Sequence, residues 1–107
     1  MNSKELSVSE TENATEWLYM IIQNPGGEEA LVGQYDEQAQ VSFIPAFETK
    51  AAAENALPLI KRDPQFKYEV QAVERTHAIE QALQNGFEIF VLDASGLLLR
   101  KIVAEEQ

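Results

Sequence analysis

The chain has 107 residues, no cysteine, 18 acidic against 8 basic side chains and 45% hydrophobic residues. That suits one domain with a single core and is too short for an enzyme with separate cofactor and substrate domains, while the missing cysteine removes disulfides, thiolate nucleophiles, iron–sulfur clusters and Cys-based zinc sites. The net charge of −10 repels phosphate backbones and anionic lipid, so neither nucleic acid nor membrane is an expected partner.

Residues 1–15 are polar, with Ser3, Ser7, Ser9, Thr11 and Asn13, and show neither periodicity nor the apolar run of a signal peptide. They are expected to be a disordered or weakly ordered tail, and residues 104–107 a second one. Between them, residues 16–103 hold 13 acids and 7 bases, a net of −6. The longest apolar run, residues 17–22, is far short of the roughly twenty residues of a membrane span, so a cytoplasmic protein is the simplest expectation.

Residues 17–22 are apolar on both alternating faces, as in a strand covered on two sides or packed in a dimer. Asn24-Pro25-Gly26-Gly27 ends it in a turn, and residues 30–35 resume as a short strand with Gly33 as a bulge. After the turn at Asp36-Glu37-Gln38, Val41, Phe43 and Phe47 mark a third strand, which Pro45 restricts to an edge or a bulge because it lacks an amide donor. Thr49 is a good N-cap for an alanine-rich helix with Ala52, Ala56, Leu59 and Ile60 as its stripe. Pro58 predicts that this helix is kinked or in two parts, ending before Asp63-Pro64. Residues 67–74 alternate as a strand, Thr76 caps a second helix with Ala78, Ile79, Ala82 and Leu83 inward, and Asn85-Gly86 ends it in the left-handed manner. Residues 87–92 form the clearest strand, and Asp93-Ala94-Ser95-Gly96 turns it into a last strand over 97–103.

The order is β-β-β-α-β-α-β-β. It predicts an α+β domain, a five- or six-stranded mixed or antiparallel sheet with two helices mainly on one face.

A strand bearing Ile44-Pro45-Ala46-Phe47, then Glu48-Thr49, an alanine-rich helix, a short strand, a second helix ending in Gly86 and an apolar strand closing on a hairpin resembles the SseB-type domain over residues 41–96. A small cyanobacterial and plastid domain of unknown function is similar in its helix-strand-helix order and acidic aromatic lead-in. Neither resemblance brings a catalytic motif that maps onto residues here. Where the SseB-type terminal strand often ends in an Asn-Pro-Gly-type turn, this chain has Asp93-Ala94-Ser95-Gly96.

His77 is the sole histidine, so no histidine pair can ligate a metal or shuttle protons, and no Gly-x-Ser-x-Gly turn presents Ser42 or Ser95 as a nucleophile. Glu28-Glu29 and Asp36-Glu37 fall in successive loops and read as solvated charge. The Asn24 turn lacks the Gly-Lys-Ser/Thr ending of a phosphate loop. No catalytic residue, metal site or cofactor is therefore implied.

Two functional readings lead, with a purely structural subunit of a larger assembly as a third. The aromatics Trp17, Tyr19, Tyr35, Phe43, Phe47, Tyr68, Phe87 and Phe90 exceed what a half-covered sheet need bury on one face. That surplus predicts a non-enzymatic protein-interaction or regulatory module, binding a protein partner or a second copy of itself through Trp17, Tyr19, Phe43, Pro45 and Phe47. The alternative is a small-molecule or anion-binding domain centred on Tyr68, Arg75 and His77, which requires Arg62, Lys67 and Arg75 to share one surface.

Overall fold

The computed structural model describes residues 16–102. The tails expected at 1–15 and 104–107 lie outside them, as does Val103. The first strand, β1 (Trp17–Gln23), is apolar on both faces because both are covered. Leu18, Met20 and Ile22 enter one core cluster, while Ile21 and Tyr19 enter another on the opposite side of the sheet. One side of β1 pairs along its whole length with β5 (Tyr68–Glu74), antiparallel.

On its other side β1 meets β4 (Val41–Phe47) only at Tyr19 with Phe47 and Met20 with Ala46, and beyond these pairs the two strands splay. Two short strands fill the fork: β2 (Ala30–Leu31) runs antiparallel along β1, and β3 (Gln34–Asp36) runs antiparallel along β4. The strand expected over 30–35 is thus broken in two at Val32-Gly33, and among the described residues the sheet has seven strands rather than five or six. Gly33 is the break and not a bulge in one strand. The ring of Phe87 occupies the space where a Cβ would stand, so only glycine fits.

Pro45 lies within the sheet and not at its edge. The ladder of β4 on the β1 side is interrupted at Ile44 and Pro45, between the residues paired with β3 and those paired with β1. That gap is where a residue without an amide donor can stand inside a sheet.

Thr49 caps helix α1 (Lys50–Ala56) as expected, its Oγ1 accepting the Ala52 amide at 3.1 Å. The helix is in two parts: a 3₁₀ turn over Leu57–Leu59 takes Pro58 near its start, where the missing donor is harmless. The change of pitch rotates Leu59 out to 65% exposure, so the inward residues are Ala53 and Ala56, with Ala52, Leu57 and Ile60 beside them. After β5 the chain enters helix α2 (Arg75–Asn85) at once, with Glu74 and not Thr76 at the N-cap position. Gly86, at φ 73°, ends α2, and the Phe87 amide returns to the Ala82 carbonyl at 2.9 Å. Ala78 and Ala82 are its buried residues, whereas Leu83 points outward.

Strand β6 (Glu88–Leu92) pairs parallel with β4 and antiparallel with the last strand, β7 (Leu98–Ile102). Asp93 shapes the turn between them, its Oδ1 accepting the amides of Ser95 at 2.8 Å and Leu97 at 2.9 Å. The result is an α+β fold on one mixed open sheet, with β5 and β7 as its outer strands among the described residues.

The two helices lie on opposite faces, not on one. Ala78 and Ala82 of α2 pack on the cluster of Leu18, Met20, Ile89 and Val91, and Ala53 and Ala56 of α1 on that of Ile21, Phe47, Phe90 and Leu92. The reason is directional. The β4-α1-β5 crossover passes over β1 in one direction, and β5-α2-β6 returns in the other between strands that all point the same way. Crossovers of one hand that travel in opposite directions must use opposite faces, and parallel crossovers are almost uniformly right-handed. Among the described residues no helix is long and apolar enough to cross a membrane.

Candidate interaction surface

Tyr68, Arg75 and His77 do not form a site. Tyr68 opens β5 and Arg75 follows its end, seven residues of extended chain or roughly 23 Å away. The Tyr68 hydroxyl accepts the Asp63 amide at 2.7 Å and donates to the Asp63 carbonyl at 3.1 Å, with Gln23 Oε1 at 3.4 Å. It latches the 61–67 loop to the end of β1. Arg62 and Lys67 belong to that loop, so they share no surface with Arg75, and the expected basic patch is absent.

Arg75 belongs instead to an ionic cluster where β1 begins and β4 and β5 end. Its Nε lies 3.6 Å from Glu16 Oε1, while Arg100 of β7 bonds Glu16 at 2.9 Å and Glu48 at 3.2 Å. Partial burial lowers the pKa of the Arg100 guanidinium, but its hydrogen bonds to Glu16 and Glu48 and their charges more than offset this, so the pKa is raised. His77 is exposed and lines a shallow open cleft with Trp17, Glu74 and Gln81.

The expected interface of Trp17, Tyr19, Phe43, Pro45 and Phe47 also dissolves. Pro45 and Phe47 are fully buried, because β4 is internal and both faces of the sheet are roofed. Tyr19 and Phe43 are half-buried in the α1-side core, Phe43 stacking on Phe90 with ring centroids 4.6 Å apart. Trp17 alone is exposed.

A cleft of about 970 Å³ opens at the fork, lined by Gly33, Gln34, Ser42, Lys61, Arg62 and Phe87. Two cations there face three carboxylates, Glu29, Glu37 and Asp63, so the charges do not converge on an anion. Gln34 is committed to structure: its Oε1 accepts the Lys61 amide at 3.1 Å and its Nε2 donates to the Lys61 carbonyl at 3.0 Å. Among the described residues no group of three or more His, Asp or Glu is placed to hold a metal ion.

The aromatics do not leave a sheet face uncovered; a run of exposed leucines lies instead at the sheet edge. Leu97, Leu98 and Leu99 are 66%, 48% and 54% exposed, and Leu59 stands beside Gly96 in the adjoining turn. Among the described residues β7 pairs with β6 alone, and no strand lies on its outer side. The register slips between Val91 and Leu92, so Leu99 is an extra residue opposite the β6 strand, a bulge in the edge. At the other end of β7, on the α2 side, runs a groove of about 300 Å³ lined by Ala82, Leu83, Phe87, Ile89 and Ile102, with the charged Glu88 and Lys101 among its walls. The other outer strand, β5, carries Glu69 and Glu74, charges of the kind natural edges commonly bear.

Sequence reasoning passed over this surface. The signal was present: three consecutive leucines ahead of Arg100-Lys101 in the last strand break the alternation of a strand with one wet face.

No family model, curated protein or solved structure matches this chain.

Proposed function

We propose that this chain is a non-enzymatic protein-interaction module whose docking element is the outer edge of β7. The observation that carries the reading is the contrast between the two outer strands. β5 is guarded by glutamates, while β7 presents exposed leucines at its start and borders a largely apolar groove at Ile102. Unpaired backbone on β7 offers an extended segment a ladder of hydrogen bonds, and the groove receives an apolar side chain from it. Lys101 in the same strand favours an acidic residue in that segment.

Comparative co-purification with mass spectrometry tests the reading. Proteins retained by the wild-type chain are expected to be lost with Leu98→Lys and kept with Glu69→Lys on the opposite edge. Retention of the same proteins by Leu98→Lys, with the fold intact by circular dichroism, contradicts it.

A further inference from the structure

We infer that the cleft at the fork between β1 and β4 binds a neutral carbohydrate, held by its hydroxyl groups and by the ring face of Tyr35. The inference is independent of the β7 edge. Tyr35 of β3 and Ser42 of β4 are cross-strand partners and therefore share a face of the sheet. Ile44, two residues on from Ser42, belongs to the core cluster under α2, which puts that face on the α2 side. Gln81 and Asn85, one turn apart on α2, stand over it as a wall of two carboxamides. Ile44 and Phe87 supply the apolar surface between wall and sheet. The enclosed space, about 970 Å³, is of the size that small-molecule sites occupy.

Charge is the first property that selects the ligand. Lys61 and Arg62 face Glu29, Glu37 and Asp63, so the charges nearly cancel and neither an anion nor a cation is gathered. Hydrogen bonding is the second. The Gln81 carboxamide and the hydroxyls of Tyr35 and Ser42 offer donors and acceptors together, and none of these side chains has a hydrogen bond among the described residues. Asn85 gives one Nδ2 proton to the Gln81 carbonyl at 2.9 Å and leaves its Oδ1 to accept another. A sugar hydroxyl also donates and accepts, so it satisfies both kinds of group at once. An apolar ligand would strand them.

The third property is the ring of Tyr35, 58% exposed although it lines a concave surface. A pyranose carries a flat face of C–H groups that packs on such a ring, while the hydroxyls at its rim reach the carboxamides and Ser42.

Titration of the full chain, followed by the shifts of its backbone amides in nuclear magnetic resonance spectra, tests the inference. Glucose, maltotetraose, cellotetraose and N-acetylchitotetraose are each taken to about 10 mM, enough to populate a site of millimolar affinity. At least one is expected to shift the amides of Tyr35, Ser42, Gln81 and Asn85 saturably. Affinity that rises from glucose to a tetrasaccharide assigns the cleft to a sugar chain, and equal affinity assigns it to a free sugar. Tyr35→Ala is expected to weaken binding by about tenfold, whereas Tyr35→Phe, which keeps the ring, changes it by less than about threefold. Because Tyr35 is largely exposed, both variants should keep the amide spectrum of the fold elsewhere. No saturable shift with any of the four sugars, shifts confined to another surface, or wild-type affinity in Tyr35→Ala each overturns the inference. Tighter binding of glucose 6-phosphate than of any neutral sugar at the same amides overturns it as well.

Discussion

Gly33 lies against the ring of Phe87 so closely that a β-carbon on Gly33 would overlap it. The contact joins the apex of the fork between β1 and β4 to the first residue after the α2 cap. Adding that carbon forces a shift in a packed site, and Gly33→Ala is expected to cost about 1–3 kcal/mol in urea unfolding. Trimming the ring should relieve the overlap. A cycle with Phe87→Leu is then non-additive, the alanine costing less in the trimmed background.

The Thr49 cap gives a second expectation. Its Oγ1 satisfies an amide in the first turn of a helix of only seven residues. Thr49→Ala should lose about 1 kcal/mol and Thr49→Ser much less, read from the denaturation midpoint. Equal loss in both would mean that the hydroxyl is not the cap.

The cluster of Glu16, Arg75, Arg100 and Glu48 is partly open to solvent, with side chains 30–52% exposed. Its ion pairs are therefore worth little despite their geometry. Glu16→Gln is expected to change stability by less than about 1 kcal/mol, and the change should shrink as salt is added. A large loss that salt does not touch would show a burial that the exposures do not support.

Much of the fold is legible in the sequence, because alternation and capping are local. The two-sided pattern of β1, the Thr49 cap, the two-part first helix and the Gly86 terminus all follow from neighbouring residues. What escapes is set at a distance. The faces taken by α1 and α2 depend on the order in which β5, β1, β4 and β6 sit, which no periodicity records. Pro45 reads as an edge marker until the fork supplies a gap in the ladder. Tyr68, Arg75 and His77 look close in the sequence only if β5 is forgotten, since an extended strand separates its ends far more than a helix does. The β7 surface was legible in part, through its leucines, but that the strand is outermost is a property of the whole sheet.

Substitutions on β7 should separate binding from folding. Leu98 and Leu99 are half-exposed, so Leu98→Lys or Leu99→Lys is expected to move stability by no more than about 0.5 kcal/mol. Capture of partner should nonetheless be lost. A fall in thermal midpoint large enough to explain that loss would assign these leucines to folding.

The most direct measurement is amide hydrogen exchange on the chain, free and bound to whatever co-purifies with it, read segment by segment. A docking edge predicts that amides of β7, Leu98–Ile102, slow on binding while those of β5, Tyr68–Glu74, keep their free rates. Protection that appears on β5, or around Gly33, Lys61 and Arg62 at the fork cleft, with β7 unchanged, would contradict the account.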